Sequence, residues 1–258
     1  MRVRNNVTHL SPATKAAFVA AILALKQKPS VLNPGGAGWS RYDDFSQVHM
    51  NAMMAIPGWA HTRPAFFPWH REMLLQFENE LVAIDPSVTL PYWDWTDPGS
   101  NPFTIDFLGG DGDPAQNDKV TTGRFAFDGP DHWRLVSKDD PGDPDFLARS
   151  FGSDPTAMSL PTVADVNAVL SVTPYDSSPW SGGSAGFRSN LEFALHNLVH
   201  RYIGGTMGLM TSPNDPVFWL HHCNIDRLWA QWMVLHPGAS PYLPVGGEIG
   251  RASCRERV

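Results

Sequence analysis

Asp215-Pro216-Val217-Phe218-Trp219-Leu220-His221-His222-Cys223-Asn224-Ile225-Asp226-Arg227 is the stretch from which the fold can be worked out. It starts as a helix starts. Asp215 can cap free backbone N–H groups, and Pro216 suits the first helical position, where its missing donor costs nothing. Phe218, His222, Ile225, Trp229 and Trp232 then recur at helical intervals and share one face. An imidazole therefore stands in an apolar stripe, where its ring nitrogens need partners. A core histidine bonded to a carbonyl would explain this one helix. The other helices repeat the pattern, and that repetition points elsewhere.

Working outward, Ser11-Pro12 opens a helix with Phe18, Ile22 and Leu25 on its apolar side, ended by the Gly/Pro stretch from Pro29 to Gly38. A second helix is expected from about Tyr42 to about Ala55, with Phe45, His49, Ala52 and Ile56 buried. Its Met50, Met53 and Met54 suit soft-metal delivery, but packing is the expectation for them. His61 falls in a loop. Pro68 opens a long helix with His70, Leu74, Phe77 and Leu81 on one face and Arg71, Glu72, Glu78 and Glu80 largely off it. Leu90-Pro91-Tyr92-Trp93-Asp94-Trp95 reads as a buried turn or short strand. Asp97 to about Pro161 lacks any sustained period and reads as a long ordered excursion over the core. Pro161–Leu170 and Asn190–Tyr202 read as helices, the latter stopped by Gly204-Gly205.

The 258 residues are ample for a sizeable core. The formal charge of -7 and the absence of a basic run argue against nucleic acid and anionic membrane as partners. Ten Trp and fourteen Phe suit a packed core and also a site for flat ring substrates. The 22 Gly and 23 Pro imply long ordered loops. Cys223 and Cys254 suggest no disulfide framework. No apolar run is long enough to span a membrane, and the first residues lack a signal-peptide core. The chain as written is expected in the cytoplasm, with export beside a partner or after loss of a signal as the alternative.

His196 and His200 are four apart and project from one helical face, so both can bind one ion. With His222 they form a set of three; His49, His61 and His70 form another. Bundle cores are where helical folds build metal sites. A di-iron site would show Glu-x-x-His pairs, structural zinc would recruit Cys, and a zinc protease would show H-E-x-x-H. None occurs. An all-imidazole set with three ligands per ion suits copper. His9, His132, His221 and His236 are given no metal role. His221 is turned roughly 100° from His222 around the helix and should make a supporting bond or face elsewhere.

These motifs resemble those of type-3 copper proteins, specifically the bacterial tyrosinase family. His61 followed by Pro64-Ala65-Phe66-Phe67-Pro68-Trp69-His70-Arg71 and Phe77-Glu78 is similar to its first-copper motif. Leu90 to Trp95 is similar to its aromatic signature. His196-Asn197-x-x-His200 and Ser212-Pro213-Asn214-Asp215-Pro216-x-Phe218-Trp219-x-His221-His222, with Asp226-Arg227, are similar to its second-copper motif. The resemblance runs from the N-terminal residues to about Gly247.

It implies a mainly α fold, a four-helix bundle core enclosing a dinuclear site, with long ordered loops. It implies that His49, His61 and His70 hold one copper and His196, His200 and His222 the other. With O2 as co-substrate, phenols and catechols would leave as o-quinones. Glu192 and Asn197 match residues that hold a water for deprotonating the phenol, whose unperturbed pKa is about 10. An ordinary Arg188–Glu192 helix pair is the alternative for Glu192. Arg201 and Met210 resemble entrance residues, and Phe218 would stack near the substrate. A small copper-loading partner protein is known in the family. The rival readings are a catechol or o-aminophenol oxidase without hydroxylation, and a haemocyanin-like O2 carrier.

Four departures bear on these expectations. His49 and His61 are closer together than in bacterial relatives, and Glu192 is closer to His196. No cysteine precedes His61, so no thioether link to it is expected. Arg251-Ala252-Ser253-Cys254-Arg255-Glu256-Arg257-Val258 does not resemble the family. Residues 1–247 are therefore expected to form the catalytic domain, and 248–258 a vector-derived or frame-shifted tail.

Overall fold

The structure is a computed structural model that describes residues 2–55, 58 and 60–239. Ile56 of the expected α2 face, Cys254 and the 248–258 tail lie outside the described residues. Seven α-helices are described: α1 Pro12–Gln27, α2 Arg41–Met54, α3 Phe66–Ile84, α4 Val163–Leu170, α5 Phe187–Asn190, α6 Asn197–Ile203 and α7 Val217–Leu235. A π-helical turn, Leu191–His196, joins α5 to α6, so residues 187–203 form one continuous helical run. The only described sheet is a two-residue antiparallel pair, β1 Gly112–Asp113 with β2 Lys119–Val120.

Local chemistry sets the helix ends. The Ser11 hydroxyl accepts from the Thr14 N–H before Pro12 starts α1. Ser40 with Asp43, and Thr162 with Asp165, close reciprocal capping boxes on α2 and α4. Asp215 accepts from the Val217 N–H at 3.0 Å, which caps α7 as expected. Its carboxylate also takes a bidentate pair from the wholly buried Arg149 at 2.8 Å. Gly204, at φ 66°, turns the chain out of α6 where a side chain would meet Ser150. α3 begins two residues earlier than Pro68, which sits within its first turn.

Four helical units meet at the centre: α2, α3, the 187–203 run and α7. Phe77 of α3 stacks on Trp219 of α7 at 3.6 Å, and Phe45 of α2 meets both rings edge-on. Phe67 and Phe187 bring α3 against the 187–203 run. Trp219 donates its indole N–H to the Tyr42 hydroxyl, which donates to the Pro213 carbonyl at 2.7 Å. Such buried aromatic interlocks contribute about 1 kcal/mol each beyond area burial. α7 is more deeply buried than one apolar stripe requires, since Val217 through Ile225 are all buried.

Two expectations fail. Glu78 is buried, because its carboxylate accepts from Arg4 and from the Leu90 N–H. Met53 and Met54 are exposed rather than packed, since they lie off the face of α2 that buries Phe45, His49 and Ala52. The 97–161 excursion is ordered as expected. It grips residues 205–215: Ala148 exchanges bonds with Thr206, and the Ser137 carbonyl accepts from the Asn214 side chain.

Candidate metal centre

The first cluster takes His49 from α2, His61 from the loop and His70 from α3, with one ligand nitrogen from each lying within 4.8 Å of the others. His49 Nδ1 lies 2.6 Å from the Met210 carbonyl oxygen and His70 Nδ1 lies 2.8 Å from that of Phe66. A carbonyl only accepts, so both Nδ1 atoms carry the proton. Each Nε2 is thereby left with its lone pair, and neither has a partner among the described residues. His61 is not on a helix. The next residue, Thr62, adopts a left-handed φ of 59°, rare for a β-branched residue, and its N–H donates to Glu192 Oε1 at 2.6 Å.

The second cluster comes from the later helices. His196 and His200 project from the 187–203 run, and His221 and His222 from α7; all four fall within one 4.8 Å group. His196 Nδ1 donates to Asn197 Oδ1 at 2.8 Å and His200 Nδ1 to the Met207 carbonyl at 2.7 Å. His196 Nε2 and His222 Nε2 are 3.2 Å apart. Two nitrogens each about 2.0 Å from one ion at a tetrahedral angle stand about 3.3 Å apart. His221 carries the opposite pattern: its Nδ1 accepts from the Trp95 indole N–H at 3.1 Å. The expected supporting bond exists, but the ring sits closer to the cluster than its place on the helix suggested.

The clusters face each other. His70 and His222 stack with ring centres 4.4 Å apart, and Phe66 and Phe218 fill the space around them. Burial holds all seven rings in the neutral form. His49 and His200 are lowered to about 4, chiefly by burial, with their carbonyl partners pulling the other way. His61, His70, His196, His221 and His222 fall well below the usual value, first from burial and then from neighbouring imidazoles. Neutral imidazoles with buried, unpaired nitrogens cost free energy in a dry site. A cation at each cluster would satisfy them, so the donor set fits two ions with three imidazoles each.

The remaining expected site residues are placed as follows. Glu192 is buried and its carboxyl is raised to about 7, chiefly by burial, against the lowering effect of the Thr62 N–H and Arg188. Oε2 accepts from Arg188 at 2.8 Å, so the helix pair exists alongside the Thr62 bond. Asn197 orients His196. Phe218 is buried against His49, His70, His200 and His222. Met210 contributes through its backbone, and the half-exposed Arg201 lies 4.0 Å from Asp154. Cys223 is a free thiol on α7, pushed well up by burial, near Arg4.

Supporting groups that the sequence did not reveal are the Met207 and Met210 carbonyls, the Thr62 amide, Asp176 and Asp139. Asp176 accepts from Arg188 at 2.8 Å. Asp139 accepts from the Met210 N–H, the Thr211 N–H and the Thr211 hydroxyl. Backbone partners leave no mark in a sequence. Asp139 stands in a stretch without period. Trp95 and His221 were visible as motifs, but not as a bonded pair.

Residues 39–235 match the family described as the common central domain of tyrosinase. A tyrosinase from Streptomyces antibioticus is 42% identical over 258 residues, covering 96% of this chain and 88% of that protein. A grixazone synthase from Streptomyces griseus is 37% identical, covering 95% of this chain and 88% of its own. A polyphenol oxidase mutant from Thermothelomyces thermophila superposes with a TM-score of 0.69 at 27% identity, over 97% of this chain and 74% of that one. An octopus haemocyanin unit shares the fold, with a TM-score of 0.59 at 22% identity, over 97% of this chain and 58% of that one.

Proposed function

The chain belongs to the tyrosinase family, and on that premise we propose that it oxidises monophenols and o-diphenols to o-quinones with O2 at a dinuclear copper centre. The observation that carries this reading is the pair of facing histidine clusters, in which His49, His70 and His200 each have a bonded Nδ1 and a buried, unpaired Nε2. His49, His61 and His70 would hold one copper, and His196, His200 and His222 the other. When bound, the copper pair supplies O2 activation and the oxidising equivalents passed to the ring.

The protein's own groups have three tasks. Carbonyl and amide acceptors keep the lone pairs of His49, His70, His196 and His200 aimed inward. Burial keeps the imidazoles unprotonated at neutral pH and excludes bulk water. Glu192 is the proton acceptor for the phenol, in reach of neutral pH because burial raises its carboxyl to about 7. Each of its oxygens keeps a second acceptor lone pair beyond the Thr62 and Arg188 bonds. Asn197, with its Oδ1 turned to His196, would hold the intervening water through its NH2 group. Arg201 and Met210 would line the approach and Phe218 would back the ring pocket. Copper loading by a small partner protein belongs to the same proposal.

Oxygen uptake with tyrosine and with a catechol tests the reading. Both should be consumed, tyrosine after a lag. Turnover of the catechol with no monophenol consumed would favour a diphenol oxidase instead.

A further inference from the structure

We propose that Trp95 prevents His221 from becoming a fourth ligand of the second copper, and so keeps that ion open. The inference rests on the copper reading of the two clusters. It begins from a selection problem. Four imidazoles, the buried His196, His221 and His222 and the half-buried His200, stand within one ligand group. Three around an ion leave a position for O2 or substrate; a fourth would close it.

Burial does not single out His221, since His196 and His222 are buried too. Hydrogen-bond polarity does. His49, His70 and His200 face backbone carbonyls and His196 faces an amide oxygen, all acceptors. Each therefore carries its proton on Nδ1 and offers the Nε2 lone pair. An indole N–H is a donor and nothing else. Trp95 therefore requires the lone pair of His221 at Nδ1 and places the ring's proton on Nε2. That Nε2 is buried, and the backbone of His196 acts on the ring as an acceptor, which suits a proton there. A protonated ring nitrogen has no lone pair to give an ion, so this tautomer withholds His221.

Trp95 is held firmly enough to do this. The Trp93 N–H donates to the Leu220 carbonyl at 3.1 Å, immediately before His221. Asp94 accepts from Arg227 of α7 at 3.0 Å. With the indole bond, three consecutive residues fasten the aromatic stretch to α7 around His221. This gives the Tyr92–Trp95 motif a task for which core packing alone has no use.

Two measurements test the inference. In copper-free protein labelled with 15N-histidine, NMR should show His221 protonated on Nε2 and His49, His70, His196 and His200 protonated on Nδ1. His221 protonated on Nδ1 would overturn the proposal without any variant. In the copper(I)-loaded full chain, X-ray absorption should count about 3 nitrogens per copper in wild type. It should count about 3.5 in Trp95→Phe, as one ion of the two gains a ring. The double variant Trp95→Phe/His221→Leu should return to about 3, a rescue that a packing role for Trp95 would not give. A count unchanged in Trp95→Phe, or a defect persisting in the double variant, overturns the inference while the copper reading stands. A wild-type chain that binds no copper overturns both.

Discussion

The two histidine clusters are built differently. His196, His200 and His222 all stand on helices, and the acceptors for His196 and His200, Asn197 and Met207, lie in the same half of the chain. The first cluster borrows. His49 is oriented by the Met210 carbonyl, and the loop after His61 is pinned by Glu192, both from the later half. The second cluster is thus locally supported, and the first is supported by the second. Disturbing the later half should reach the first copper, whereas disturbing the first set should leave the second copper in place.

The strongest way to break this asymmetry is to remove one ligand from the first set. His61→Ala should lose a single copper, retain the second and abolish oxidation of both substrates. Metal analysis should find one ion per chain; loss of both would show that the clusters are mutually dependent.

Glu192→Gln comes next. It keeps an acceptor for the Thr62 N–H but removes the base and the charge facing Arg188. Tyrosine hydroxylation should fall by about 10²-fold or more, and catechol oxidation by much less. Equal losses on the two substrates would reduce Glu192 to a support for the His61 loop.

A smaller effect is expected from Asp139→Ala, which frees the Met210–Thr211 backbone behind His49. Copper affinity at the first site should fall by about 10-fold, with the second site unchanged in the same titration. Parallel weakening of both sites would mean that Asp139 merely stabilises the fold.

The last effect is on the stability of the copper-free chain and leaves the loaded enzyme untouched. In the copper-free chain His49 and His200 are held near 4, against 6.5 for an open imidazole. The unfolded chain takes up these protons first, so stability is lost as pH falls from 6.5 toward 4. The effect is about 3 kcal/mol for each such ring. Glu192, raised to about 7, acts in the opposite sense, its contribution being lost as pH rises through that value. The histidines outnumber it, so the melting temperature of copper-free protein should drop between pH 6.5 and 4. A flat profile would mean that the rings are not held in the neutral form.

Legibility in the sequence follows the same divide. The i,i+4 pair His196 and His200 and the stripe through His222 are periodic, so the second set could be read from spacing alone. His61 has no period, and its role as a copper ligand beside His49 and His70 rested on the family motif. The helices were legible within a few residues because caps and apolar faces are local. The exposed Met53 and Met54 and the buried Glu78 were not, because burial there depends on which distant segment covers a helix end. Asp139 and the Met207 and Met210 carbonyls were invisible for the same reason: they act through backbone that only the folded chain brings near. His221 was given no metal role, and its bond from Trp95, which spans 126 positions, could not be read from the sequence.

Copper titration of the purified wild-type chain, followed by metal analysis and by oxidation of a catechol, tests the central claim most directly. The account predicts saturation at two ions per chain, with oxidation appearing only as the second ion binds. Saturation at one ion, or two bound ions that leave the catechol untouched, would contradict it.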